Sequence, residues 1–107
     1  MKTIPTDFPP TIVGSRVEIA GFLADLRYQA GLTGEEFDDV AGWADRYIGK
    51  LECGMRQGFV IEPGKITVSA MADVWLQCLG ARLVLMTIEQ ADAVGAVPCP
   101  PRSRTVH

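Results

Sequence analysis

Residues 31–54 read GLTGEEFDDVAGWADRYIGKLECG, and their pattern predicts two short helices joined by a tight turn. Thr33 and Glu36 have the S/T-x-x-E spacing of a capping box, in which each side chain satisfies a free amide at the start of a helix. Gly42 interrupts the first helix, and a second helix is predicted from about residue 44 to residue 53. We expect the two helices to pack together as a helix, a turn and a helix.

A longer helix is predicted immediately before this segment. Ser15 can cap it, residues 16–30 carry apolar side chains at helical spacing, and Gly31 ends it. Its apolar stripe is expected to pack across the two short helices as a scaffold. The expected core residues are Ile19, Phe22, Leu23, Leu26, Ala30, Leu32, Phe37, Val40, Ile48 and Leu51.

The chain changes character after Gly54. Residues 55–66 contain two glycines and a proline without a sustained period, so they predict a loop, and Thr67 is expected to cap a further helix. The segment 81–88, ARLVLMTI, is short and rich in branched side chains, which predicts a strand. The alternative is a final helix over about residues 83–94. A lone strand has an unpaired edge, so pairing with a second copy predicts a homodimer.

The 107 residues are enough for one domain, which we expect to cover residues 15–96. Residues 1–14 predict a flexible arm, and residues 97–107 predict a disordered, proline-rich tail. With 48% hydrophobic and 21% charged residues, the composition is that of a globular protein. The first ten residues lack a signal-peptide pattern, and the longest apolar runs are far too short for a membrane span, so we expect a cytoplasmic protein.

The sequence offers little for enzymatic or metal chemistry. Its three cysteines are widely spaced and its one histidine is the last residue, which disfavours a disulfide framework or a zinc site. Glu35, Glu36, Asp38 and Asp39 cluster without a nearby histidine, which favours a solvated or partner-binding face over acid catalysis or metal binding. We expect no enzyme activity and no cofactor, because no nucleophile-base pair or phosphate loop is visible.

Residues 23–54, and more loosely residues 67–86, resemble the lambda-repressor-like helix-turn-helix domain of the Xre type. The matching landmarks are Leu23 and Arg27, the runs GLTGEEF and AGWADRYIGKLE, Gly54, and the later LGARLVLM. The resemblance implies a mainly α fold, a bundle of four to five helices with a short C-terminal strand. It also implies binding to a double-stranded DNA operator, usually as a dimeric repressor whose second motif helix enters the major groove. Such a protein would be associated with the nucleoid.

The same resemblance assigns roles to side chains on and near the second motif helix. Arg46 would contact a guanine edge, Lys50 a guanine or a phosphate, and Asp45 a cytosine amino group. Gly49 lies among these base-reading positions but presents no side chain. The remaining implied residues are Thr33, Tyr47 and Arg56 for contacts to the DNA backbone, and Arg27 with Glu52 for a structural ion pair.

Several features depart from the family pattern. The formal net charge is -3, and the first motif helix is acidic. Gly34 replaces a phosphate-anchoring glutamine, and Ala44 replaces a capping serine or threonine, which leaves Asp45 as the expected cap. These departures predict weaker or more salt-sensitive DNA binding. They also leave open a protein-binding helix-turn-helix, such as an antiactivator or antitoxin, in which the basic residues form an ordinary solvated face.

Overall fold

The computed structural model describes residues 9–99, and helices predominate among them. The mainly helical class predicted from the sequence is confirmed. In chain order the elements are β1 (Thr11–Ile12), α1 (Arg16–Gln29), α2 (Gly34–Ala41), α3 (Tyr47–Glu52), β2 (Phe59–Glu62), β3 (Lys65–Val68), α4 (Ala70–Cys78), α5 (Ile88–Ala93) and β4 (Val97–Pro98).

The first two helices begin where the sequence predicted. The Ser15 hydroxyl accepts a hydrogen bond from the amide of Glu18 at 3.2 Å, which caps α1. Thr33 and Glu36 form the predicted capping box, with hydrogen bonds of 3.1 and 2.8 Å. Gly42 ends α2 with a φ of 74°, a left-handed conformation that glycine adopts without steric cost.

Helix α3 is shorter than predicted, since it covers Tyr47–Glu52 and not residues 44–53. Arg46 precedes it with a φ of 67°, so the chain cannot be helical at this position. The side chain of Arg46 makes no capping hydrogen bond, and Asp45, the expected cap, lies in the turn before it.

The predicted loop over residues 55–66 is wrong, because most of it belongs to a β-hairpin. Strands β2 and β3 pair antiparallel, with Glu62 opposite Lys65 and a two-residue turn between them. Pro63 suits the first turn position, and Gly64 takes a φ of 75°. The alternation that identifies such strands spans only four residues on each side of the turn, which is too short to stand out in the sequence.

The hairpin also moves the start of the next helix. Thr67, the expected cap, lies within β3, and Ser69 caps α4 by accepting a hydrogen bond from the amide of Ala72 at 3.1 Å. The helix ends as predicted near Gly80, which has a φ of 64°.

The predicted strand over residues 81–88 is not formed. Residues 81–87 have no regular secondary structure, and α5 begins at Ile88 with Thr87 and Gln90 as its capping box. The alternative of a helix over residues 83–94 is right only in its second half. A strand needs a partner, and in the described part of the chain none lies beside this segment.

Residues 11–12 of the predicted arm and residues 97–98 of the predicted tail form strands. Strands β1 and β4 pair in parallel, and the amide of Val97 donates a 2.9 Å hydrogen bond to the carbonyl of Pro10. The folded domain therefore extends on both sides of the predicted bounds 15–96. The remainder of the predicted arm and tail, residues 1–8 and 100–107, lies outside the described residues.

The core lies between α1, α2, α3, α4 and β2. Val40, expected in the core, is 65% exposed, because it lies on the outer side of α2. No helix in residues 9–99 has the length and hydropathy to cross a membrane. The buried core residues are Ile19, Ala20, Leu23, Leu26, Phe37, Ile48, Leu51, Phe59, Ala72, Trp75, Leu76 and Leu79.

Candidate functional site

An open groove of about 640 Å³ lies along α3 and the beginning of α2, and we call it the α3 groove. All four residues that the sequence assigned to base contacts line it, as do both members of the implied ion pair. The lining residues are Arg27, Gly34, Glu35, Asp38, Asp45, Arg46, Ile48, Gly49, Lys50, Glu52, Cys53 and Met55.

One side of the α3 groove is formed by a single face of α3 and the residues at its two ends. Gly49, Lys50 and Cys53 lie on one side of α3 and just beyond it, and Arg46, the non-helical residue before the helix, lines the same groove. Arg46, Gly49 and Cys53 are exposed, and Lys50 is half-buried. A Cβ atom placed on Gly49 would meet nothing within 4 Å. This side of the groove therefore offers two cations with open space between them.

Asp38 fixes the start of α3. Its Oδ1 accepts a 2.8 Å hydrogen bond from the backbone amide of Ile48, the second residue of the helix. Asp38 is only 3% exposed, so its predicted place on a solvated acidic face is wrong. The spacing of Gly34, Asp38 and Ala41 marks the inner side of α2 and was the sequence signal that could have located it.

Arg27 and Glu52 form an ion pair that holds the other end of α3. The guanidinium donates from Nε and Nη2 to the two carboxylate oxygens at 2.7 and 2.9 Å, and from Nη1 to the carbonyl of Leu32 at 2.6 Å. The hydrogen bond to Glu52 raises the pKa of Arg27 above its ordinary value; burial opposes this shift, and the charges of Glu52 and Asp38 add to it. The pair links α1 to α3.

The charges at the α3 groove are mixed. Arg46 stands just before α3 and Lys50 on it, whereas Glu35 lies at the start of α2 and Asp45 in the turn. Arg27 and Glu52 neutralise each other, and Asp38 adds a third carboxylate to the lining, so these carboxylates outnumber the two remaining cations by one. The cations lie at and on α3 while the groove as a whole is not basic, so we expect any anion binding here to be weak.

The three residues assigned to the DNA backbone do not line the groove. The Thr33 hydroxyl accepts the capping-box hydrogen bond from the amide of Glu36. Arg56 is exposed just beyond α3, where its amide donates to the carbonyl of Lys50 at 3.0 Å. Tyr47 is half-buried, and its ring packs on Trp43 at a centroid distance of 5.1 Å. Tyr47 therefore belongs to the packing of the turn.

Arg16 is a basic residue near α3 that sequence reasoning missed. Its Nη1 lies 3.6 Å from the position that a Cβ on Gly54 would occupy, at the end of α3. Arg56 follows closely in the chain, so two arginines flank this end of the helix. Arg16 is brought there by the packing of α1, and nothing in the local sequence signals it.

A second, apolar groove of about 430 Å³ lies between residues 10–13, α1 and residues 81–88, and we call it the C-terminal groove. Val84, Leu85 and Ile88 on its rim are 63%, 88% and 83% exposed. Within the described chain, the backbone of residues 82–86 makes no hydrogen bond to other backbone groups. A contiguous exposed apolar surface of this kind is typical of an interaction site.

Residues 9–99 contain no cluster of three or more histidine, cysteine, aspartate or glutamate side chains suited to a metal ion. Comparison of the chain with known protein-family models, with curated proteins and with solved structures returns no match.

Proposed function

We propose that this protein is a sequence-specific DNA-binding transcriptional regulator, a dimeric repressor that contacts the major groove through the exposed face of α3. The observation that carries the proposal is that Arg46, just before α3, and Lys50, on α3, line one open groove along a helix held at both ends by other helices. A major groove about 12 Å wide accepts one α-helix, whose side chains then reach the base edges.

The two cations suit different parts of such a contact. Arg46 stands at the start of α3, the end that approaches the bases in this mode of docking, and its planar guanidinium can make two parallel hydrogen bonds to a guanine. One such pair contributes about 1 to 3 kcal/mol of discrimination against other bases. Lys50 lies one turn further along, and Gly49 between them lets the helix backbone approach closely.

Contacts to phosphates would come from the ends of the two short helices. Arg56 and Arg16 flank the end of α3, and the exposed Thr33 lies at the start of α2. With so few cations and with Glu35 and Asp45 nearby, we expect weak non-specific binding and a modest dependence on salt, a slope of roughly -2 to -4 in log K against log salt. Specific base contacts would then dominate recognition.

The C-terminal groove is the proposed dimer contact. Within residues 9–99, the backbone of residues 82–86 has no backbone hydrogen-bond partner, and several of its apolar side chains are exposed; strand addition requires both features. If this segment pairs antiparallel with the same segment of a second copy about a two-fold axis, the same backbone groups gain hydrogen bonds in both copies. We therefore propose a second copy as the occupant of the C-terminal groove. A dimer also matches the two-fold symmetry of a palindromic operator.

The test begins with a random-sequence duplex library, from which the full-length protein selects its preferred sites. Affinity is then measured for a selected and a scrambled duplex at two salt concentrations. We expect Arg46→Ala and Lys50→Ala each to lower affinity for the selected duplex about tenfold, equivalent to about 1.4 kcal/mol. Lys65→Ala removes one positive charge at the tip of the hairpin and is the matched control; it should change affinity less than about twofold.

The proposal is wrong if the native protein binds scrambled and selected duplexes equally at both salt concentrations. It is also wrong if Lys65→Ala lowers affinity as much as Arg46→Ala, since loss of net charge would then explain the effect. Either result would favour the protein-binding alternative, in which the C-terminal groove holds a partner protein.

A further inference from the structure

We propose that Asp38, on α2, is the positioning residue of the DNA contact: it sets the place of α3, and thereby the affinity of Arg46 and Lys50 for DNA, without touching DNA itself. This inference rests on the proposed function.

Helix α3 cannot hold its own position. It has six residues, far fewer than an isolated helix needs, because the first turn fixes several residues for a single hydrogen bond. Its first amides have no partners within the helix, and the preceding residue, Arg46, supplies no side-chain cap. Its start must therefore be stabilised from outside.

Asp38 supplies that support from a neighbouring helix. Its Oδ1 accepts the hydrogen bond from the Ile48 amide at 2.8 Å, and the side chain is almost completely buried. The two helices are in close contact here, since a Cβ atom on Gly34 would lie 3.4 Å from Cγ2 of Ile48. The hydrogen bond and this van der Waals contact together hold the start of α3 against α2.

The second carboxylate oxygen of Asp38 lowers the stability of the fold. Oδ2 of Asp38 is buried and has no hydrogen-bond partner in the described structure, and an unpaired buried carboxylate oxygen is unfavourable. An apolar side chain of similar size would avoid this cost. The carboxylate is therefore better explained by its capping of Ile48 than by its contribution to overall stability.

The position of α3 follows from its two ends together. Asp38 holds the beginning, and Arg27 holds the end through Glu52 at 2.7 Å. Without the first contact, the beginning of α3 becomes free to fray while its end stays attached to α1. Arg46 stands at that beginning, so it would lose its fixed placement relative to Lys50.

The test compares Asp38→Asn with Asp38→Leu, because both remove the negative charge and keep the number and branching of the side-chain heavy atoms, and only asparagine keeps an acceptor. Measurements are made at 10 °C on folded full-length protein, with the selected and scrambled duplexes. We expect Asp38→Leu to lose about tenfold in affinity for the selected duplex and Asp38→Asn to lose less than about threefold. Affinity for the scrambled duplex should stay within about twofold of native, since phosphate contacts do not depend on the placement of Arg46.

Hydrogen exchange of the free protein provides a readout that does not involve DNA. The Ile48 amide should exchange faster in Asp38→Leu than in Asp38→Asn, whereas the amide of Leu23, in the middle of α1, should be unchanged in both. Asp38→Ala replaces Asp38→Leu if the leucine variant does not fold.

Equal DNA affinities for the leucine and asparagine variants would overturn the proposal, as would equal protection of Ile48 in both. If the native protein does not distinguish the two duplexes, the proposed function fails and the DNA role of Asp38 fails with it. Exchange at Ile48 then still decides, separately, whether Asp38 holds the start of α3.

Discussion

At the scale of single residues, Arg46 combines an unfavourable backbone conformation with an exposed, charged side chain. It is the only non-glycine residue in the described range with a positive φ, 67°, and it lines the α3 groove. The left-handed conformation costs an L-residue about 1 to 2 kcal/mol and glycine almost nothing. Backbone strain of this kind is concentrated at functional sites, so a strained arginine here supports a role in binding.

Replacing Arg46 by glycine should therefore separate stability from function. We expect Arg46→Gly to raise the free energy of unfolding by about 0.5 to 1 kcal/mol, because the strain is relieved, and to lower affinity for the selected duplex about tenfold, as Arg46→Ala does. Urea denaturation measures the first effect and duplex binding the second. Gly42→Ala, at a φ of 74° in equally open space, is the control and should destabilise by about 1 kcal/mol. A destabilised Arg46→Gly would mean that the arginine side chain serves the fold.

The ion pair of Arg27 and Glu52 is a second residue-scale feature with a measurable effect. The two side chains are 14% and 15% exposed, so Glu52→Gln leaves a largely buried arginine without its counter-charge. We expect a loss of about 2 to 3 kcal/mol, below the value for a fully buried pair, as measured by urea denaturation. Glu62→Gln on the exposed hairpin is the control and should change stability by less than about 0.5 kcal/mol.

The pH dependence of that loss follows from the direction of the arginine shift. The pKa of Arg27 is raised above its ordinary value, so its stabilising contribution is complete below the ordinary pKa of arginine and is lost only as the pH rises through the raised pKa. The arginine itself should therefore give Glu52→Gln the same stability loss at pH 7 and pH 9. A loss that shrinks over this interval would show that some other group sets the stability of the pair.

At the scale of elements, sequence reasoning succeeded where the determining interactions are local. Helices α1 and α2 were placed by their caps and apolar spacing, because Ser15, Thr33 and Glu36 act within four residues of their partners. The same reasoning failed at α3, whose start depends on Asp38, ten residues away on another helix. It failed again over residues 81–88, where branched side chains suggested a strand that has no partner to pair with.

The candidate site was predictable to a similar extent. Among the positions assigned to base contacts, Gly49 and Lys50 share one groove because they are neighbours on α3, whereas Arg46 lines it from a non-helical position that the sequence did not predict. Tyr47 was assigned to the DNA backbone, but its ring packs against Trp43, four residues earlier, in a turn whose conformation the sequence pattern did not predict. Arg16 was missed because its neighbour Gly54 is distant in sequence.

The cap of α4 is Ser69, and its contribution to stability can be measured. Ser69→Ala removes the cap that accepts from the Ala72 amide, so it should destabilise the protein by about 1 kcal/mol in urea denaturation. Thr67→Ala, the position that the sequence favoured as the cap, lies exposed in β3 and should cost less than about 0.5 kcal/mol. The opposite order would mean that the helix begins two residues earlier than described and that the hairpin is shorter.

At the scale of the whole molecule, the pairing of β1 with β4 brings the two ends of the described chain together beside the C-terminal groove. The molecule measures 41 × 31 × 27 Å along its principal axes. Successive half-sites on one side of a DNA duplex lie about 34 Å apart, so two copies of this size can present their α3 helices to adjacent turns. Dimerisation away from α3 would leave both α3 grooves open.

The dimer is tested by placing a charge on the most exposed apolar side chain of the C-terminal groove. Leu85 is 88% exposed, so Leu85→Asp should hardly affect folding of the monomer but should prevent burial of this surface against a second copy. We expect the native protein to sediment as a dimer and Leu85→Asp as a monomer, with much weaker binding to a palindromic duplex and nearly unchanged binding to a half-site. Val17→Asp, on the 57% exposed Val17 of α1, is the control and should remain dimeric. A native protein that sediments as a monomer at all concentrations would exclude a second copy as the occupant of the C-terminal groove, and α3 would then have to recognise DNA from a single half-site.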